Sequence, residues 1–82
     1  MDDKIKNLRQ ELDIIDDNIA VLLKKRVEIG RKIVAFKTVS GLKKDDFERE
    51  NAIIQRISAG NPEISELLEL LYRRIFDWVK NQ

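Results

Sequence analysis

Apolar residues recur along the first half of the chain at alternating spacings of three and four: Ile5, Leu8, Leu12, Ile15, Ile19 and Leu22, then Ile29, Ile33 and Phe36. That period draws one narrow stripe along an α-helix, the pattern of a helix that packs on other helices. No proline occurs before Pro62 and only Gly30 weakens the segment, so one helix of roughly 35 residues is the simplest reading. At 1.5 Å per residue it would be about 50 Å long. A compact chain of 82 residues has a radius of gyration of only about 12 Å, hence a diameter near ~30 Å. Much of the helix must therefore overhang its own domain. The stripe on the overhang needs a cover, and a second copy of the chain is the simplest one.

The first helix is expected to end around Val39, where Ser40-Gly41 supplies a turn and Gly41 a C-terminal stop. A second helix begins near Asp45 or Asp46. Asp45-x-x-Glu48 resembles a capping box with Asp as the cap, and Phe47, Ile53, Ile54 and Ile57 give the segment a core face. It stops at Ala59-Gly60. Asn61-Pro62 reads as an N-cap followed by proline at the first helical position, and a third helix carries Ile64, Leu67, Leu68, Leu71, Ile75 and Trp78 to the carboxyl end. No strand pattern, internal repeat or low-complexity tract accompanies them. The fold class is all-α: one domain over residues 1–82, a three-helix subunit with a very long first helix.

Composition narrows the chemistry. The 16 Lys and Arg against 15 Asp and Glu leave a net charge of +1, a balance that argues against a nucleic-acid binder with its basic excess. With no Cys and no His, a disulfide framework, a zinc site, a nucleophilic triad and an imidazole shuttle all drop out, and no metal or cofactor is expected. The start, Met1-Asp2-Asp3-Lys4, is acidic and leads into an amphipathic pattern, not a signal segment, and no apolar run approaches a membrane span. A cytoplasmic protein is expected. What remains is a stock of Arg, Lys, Asp and Glu, suited to holding an anion in shape and stabilising charge as it develops.

A few polar residues stand out against the helical pattern. Counting three and four alternately from Ile5 places Arg26 where an apolar residue is due. A guanidinium on a helical seam needs an anionic partner, either a structural carboxylate or a ligand, unless it snorkels to the edge. Lys37 lies eleven residues further on, almost on the same azimuth and about 16 Å along the axis, so the two side chains can lean toward a small ligand between them. By itself Lys37 also reads as a solvated cation at a helix end. Arg9 borders the same stripe about 25 Å before Arg26, too far to share a small site in one subunit. If two long helices run antiparallel, Arg9 of one is carried toward the middle of the other; alternatively it pairs with Asp13 on its own helix. In Asp45-Asp46-Phe47-Glu48-Arg49-Glu50, acidic residues suit a helix start, but Arg49 opposes the helix dipole and Glu50 borders the core face.

Leu8-Arg9-Gln10-Glu11-Leu12-Asp13-Ile14-Ile15-Asp16, Leu22-Leu23-Lys24-Lys25-Arg26, Lys37 and Phe47-Glu48-Arg49-Glu50 together resemble the all-helical class of chorismate mutases, in order and in spacing, over nearly the whole chain. The resemblance implies an intertwined helical homodimer with two composite active sites and chorismate as substrate. By the same resemblance, Arg9 supplied in trans and Arg26 in cis are carboxylate-binding arginines, and Lys37 reaches a carboxylate and the ether oxygen. Glu50 and the backbone near Asp46 are hydroxyl-binding positions, and Arg49 is a supporting arginine. The implied reaction is the Claisen rearrangement of chorismate to prephenate in aromatic amino acid biosynthesis, without cofactor or covalent intermediate.

Isochorismate pyruvate lyases share this scaffold. Trp78 resembles that branch and Glu50 the mutase branch. A non-catalytic helical dimerisation module is a third reading, but it has no need of Arg26, Lys37 and Glu50 together. The family's Gln or Glu near the end of the third helix falls one position beyond Gln82 when Ile75-Phe76 is matched to its apolar pair, with Val79 where a small or polar residue is common. A one-residue slide would let Gln82 fill the role but moves Arg74 onto an apolar row, so a weak mutase is expected from the sequence.

Overall fold

Three α-helices follow one another in a computed structural model that describes residues 2–81: α1 (Asp2–Val39), α2 (Phe47–Gly60) and α3 (Ser65–Lys80). A 3₁₀ turn at Pro62–Ile64 joins the last two, and no strand occurs among the described residues. The 38 residues of α1 are framed by Asp2 and Asp3 in the first turn and Lys37 in the last, the charge order the helix dipole favours. Its end is a Schellman motif. Gly41 adopts φ +74°, its N–H donates to Thr38 O at 3.3 Å, and the Leu42 N–H donates to Lys37 O at 2.7 Å. Only glycine takes that left-handed φ without penalty, so the stop at Val39 is local in origin.

Two expected caps are rearranged. Asp46, not Asp45, caps α2: its Oδ1 accepts the Arg49 N–H at 3.1 Å, which puts Glu48 one position too early to close a capping box. Asn61 gives no side-chain cap to the helical turn after it. Its amide instead donates back to Ile57 O at 2.9 Å and its N–H to Ser58 O at 3.1 Å, satisfying carbonyls left over at the end of α2. Pro62 consequently opens the 3₁₀ turn, and α3 begins at Ser65.

The core lies between α2 and α3. Ile53 and Ile54 pack on Phe76, Tyr72 covers its edge, and the Tyr72 and Phe76 rings meet edge-on at 5.9 Å. Arg73 ties the two helices from outside by donating to Asn51 Oδ1 at 2.9 Å. Phe47, expected on the core face, is instead exposed. On its remaining face α3 buries Ile75 and Val79.

No residue of α1 is buried. Ile5, Leu8, Leu12, Ile15 and Ile19 are each 50–55% exposed. The molecule measures 58 × 24 × 17 Å with a radius of gyration of 16.5 Å, against the ~12 Å of a compact chain of this length. The grooves between α1 and α3 are lined from α1 by Ala20 and residues beyond it, so about five turns project past the other helices.

Gly30 marks the crossing of α1 and α3. A Cβ there would lie 3.2 Å from Val79 Cγ1 and 3.6 Å from Cγ2. A glycine that only weakens the helix in isolation is thus the residue that lets the two backbones approach. Gly30→Ala gains up to about 1 kcal/mol of helix propensity, and Val79 borders an open cleft into which it can shift by a few tenths of an ångström. Its stability by urea unfolding is expected within about 1 kcal/mol of the parent, whereas Gly30→Leu, which overpacks the crossing, is expected to lose about 1–3 kcal/mol.

Candidate active site

A cleft of about 300 Å³ opens where α1, the start of α2 and the end of α3 meet. Arg26 and Lys37 enter it from one side of α1, as their shared azimuth requires, with Ile29, Gly30 and Ile33 between them forming an apolar floor. Asp46, Arg49 and Glu50 enter from the first turn of α2, and Lys80 from the last turn of α3. Five of the six residues singled out in the sequence, Arg26, Lys37, Asp46, Arg49 and Glu50, are therefore brought together. Arg9 is not. It lies exposed on the projecting part of α1, and none of the ion pairs among the described residues joins it to Asp13. Gln82 lies outside the described residues.

Arg26 is held without a carboxylate. Its guanidinium carbon sits 5.3 Å from the Tyr72 ring centroid and 5.4 Å from that of Phe76, and no ion pair among the described residues includes it. Ring faces attract a cation weakly and leave its N–H donors unused, so the site keeps a preoriented fork for an incoming anion. Lys37 is drawn toward Asp46 at 3.9 Å, a long and loose pair that a stronger anion can replace. Lys44, from the loop before α2, also lines the cleft. Counting Arg26, Lys37, Lys44, Arg49 and Lys80 against Asp46 and Glu50 gives five cationic side chains and two anionic ones, a surplus suited to a dianion.

Lys80 is the residue that sequence reasoning missed. Its ammonium lies 2.9 Å from Asp45 Oδ1, 3.0 Å from Glu50 Oε2 and 5.1 Å from the Phe47 ring. Burial works against its charge, but the hydrogen bonds to Asp45 and Glu50 and the charges of both carboxylates outweigh it, so the group is held above its ordinary value of 10.5. The pairs are intact at neutral pH, and their contribution is lost only as pH rises through that raised value. A signal existed: Lys80 stands four residues after Phe76, on the same face of α3. Trp78 points elsewhere. It lies in an apolar groove with Leu23, Val27, Leu71 and Ile75, its ring 4.9 Å from the Arg31 guanidinium, and it does not line the cleft.

Among the described residues no group of His, Cys, Asp and Glu is placed to hold a metal ion, and no helix is long and apolar enough to cross a membrane. Residues 8–82, which hold every element of the cleft, match the family described as Chorismate mutase type II. The chain belongs to that family. Intracellular chorismate mutases of Mycobacterium tuberculosis and Mycobacterium bovis are each 34% identical over 70 residues, covering 85% of this chain and 67% of theirs. A bifunctional chorismate mutase/prephenate dehydratase of Aquifex aeolicus is 33% identical over 79 residues, 89% of this chain but only 22% of the relative. No solved structure matches. The all-α arrangement of the three helices agrees with this all-helical family.

Arg26 offers the sharpest separation of stability from function. Arg26→Leu restores the apolar row and removes a partly desolvated charge at the cost of two ring contacts of about 0.5–1 kcal/mol each. Its unfolding free energy is expected to stay within about 1 kcal/mol of the parent, while mutase turnover falls by about a hundredfold or more. Marked destabilisation would mean that the arginine is structural.

Proposed function

We propose that this chain catalyses the rearrangement of chorismate to prephenate as an intertwined homodimer whose two clefts are each completed by the partner subunit's Arg9. The observation that carries the reading is the convergence of Arg26, Lys37, Asp46, Arg49 and Glu50 on one cationic cleft inside the matched region. Chorismate carries two carboxylates, an ether oxygen and a ring hydroxyl. Arg26 takes one carboxylate, with Arg49 supporting the anion from α2. Lys37 exchanges its loose contact with Asp46 for a carboxylate and the ether oxygen, and Glu50 with the backbone near Asp46 takes the hydroxyl.

The reaction breaks one carbon–oxygen bond and forms one carbon–carbon bond within a single molecule, so no group need accept a proton or form a covalent bond. Clamping both carboxylates selects the compact conformer in which the two carbons meet. An ammonium beside the ether oxygen then stabilises the negative charge that grows there as the bond lengthens, and stabilises it more in the transition state than in the ground state. One subunit supplies only part of this clamp. An antiparallel partner helix covers the exposed α1 stripe and carries its Arg9 across about 25 Å to the open side of the cleft. A cytoplasmic location accords with the names of the mycobacterial relatives. The lyase shares the scaffold and the basic clamp, but Trp78, the residue that resembles that branch, lies outside the cleft while Glu50 lines it, which supports the mutase. A dimerisation module without activity leaves the cleft unexplained.

The composite site is tested by mixing. Arg9→Ala and Arg26→Ala homodimers are each expected to be nearly inactive on chorismate. Co-refolded heterodimers should regain one intact cleft of two, followed as loss of the diene absorbance. No recovery, with heterodimer formation verified, would rule out Arg9 in trans, and turnover of isochorismate in place of chorismate would favour the lyase.

A further inference from the structure

We propose that Lys80 is a positioning residue of this cleft, holding Glu50 by one carboxylate oxygen so that the other is presented to the ring hydroxyl of the substrate. The proposal rests on the mutase reading above and adds a residue to it. Glu50 has a long, rotatable side chain and stands in the first turn of α2, where nothing from its own helix fixes its direction. The fixing contact comes from α3: Lys80 Nζ lies 3.0 Å from Oε2, leaving Oε1 as the oxygen to meet a ligand. Both side chains are well shielded, Lys80 at 15% exposure and Glu50 at 13%, so this pair is little screened by solvent. Asp45, the second carboxylate on the same ammonium, is 55% exposed and holds Lys80 from the solvent side.

The other acid of the cleft is placed differently. Asp46 spends one oxygen on the Arg49 N–H as the cap of α2, and its cation, Lys37, stands 3.9 Å away. Glu50 is thus the acid held by a close ion pair from another helix, whereas Asp46 is held by its own cap bond and only loosely by Lys37. Lys80 also fixes the gap between the first turn of α2 and the last turn of α3, which form two walls of the cleft. Its ammonium also lies over the exposed Phe47 ring, 5.1 Å from the centroid, a further weak attraction that holds the lysine in place. Substrate discrimination at the hydroxyl, more than general affinity for the dianion, is what this arrangement controls.

The test uses two unreactive ring dicarboxylates that differ only in that hydroxyl, compared as competitive inhibitors of chorismate turnover and by direct binding to the purified protein. The parent is expected to prefer the hydroxylated compound by about tenfold or more, because a shielded acceptor left without its donor is penalised. Lys80→Met should bring the ratio to within about threefold of unity. Lys80→Arg should restore most of it, and adding Lys80→Met to Glu50→Ala should change the ratio no further. A lysine that merely stabilised the fold would weaken both compounds alike and leave the ratio unchanged. If Lys80→Met does not fold, Lys80→Gln removes the charge from a shorter polar side chain and is read in the same way. Retention of the parent's ratio in a folded, dimeric Lys80→Met or Lys80→Gln protein overturns the role of Lys80 and leaves the mutase reading standing. Failure of the parent to convert chorismate at all overturns both.

Discussion

Everything in this molecule follows from an apolar stripe that its own chain does not cover. The side chains of the first turns of α1 stand about half exposed, and full burial of a Leu or Ile stabilises by about 1.5–3 kcal/mol, so covering the remaining half is worth roughly 1 kcal/mol for each. Summed over the five residues from Ile5 to Ile19, that is a large part of the 5–15 kcal/mol that separates a typical domain from its unfolded state. The core that the single chain does build, centred on Ile53, Ile54 and Phe76, is small for the length of helix it must hold. A subunit of this shape has a major share of its possible stabilisation still to gain from covering α1.

The same constraint shapes the chemistry. Because α1 crosses α3 at Gly30 and projects far beyond it, Arg26 and Lys37 fall within one cleft while Arg9 is carried out of reach of it. Arg26 rests on the faces of Tyr72 and Phe76 with its hydrogen-bond donors uncommitted, and the cationic surplus around it is not cancelled by the two carboxylates present. A site of this kind is costly to the folded state and useful to a dianion. Repulsion among the cations is relieved when an anion binds, and the Arg26 guanidinium is already oriented for it.

How much of this can be read in the sequence depends on whether the cause is local. The period of α1, the absence of proline before Pro62 and the left-handed Gly41 act over a few residues, so the length of the first helix and its end at Val39 are legible. The grouping of Arg26, Lys37, Asp46, Arg49 and Glu50 was also legible, because the resemblance to a family joined residues that periodicity alone could only place on faces. The errors sit where two neighbours compete for one role. Asp45 and Asp46 are both able caps; Asp46 takes the Arg49 N–H while Asp45 is engaged at 2.9 Å by Lys80, a residue of α3. Asn61 can accept from the following turn or donate to the preceding one, and the leftover carbonyl of Ile57 decides for the latter. The roles of Gly30 and Trp78 depend on how α1 and α3 cross, a contact between residues some fifty positions apart that no local pattern encodes, and the partners of Lys80 depend on how α3 meets the start of α2.

Association with a second copy is therefore the hinge of the proposal: it would cover the stripe and bring the partner's Arg9 to the cleft. Sedimentation equilibrium of the purified chain across the micromolar range, with helicity followed in the same samples, addresses it most directly. A particle of two chains that dissociates only together with loss of helical structure is the predicted result. A monomer that stays folded and helical at micromolar concentration would contradict it.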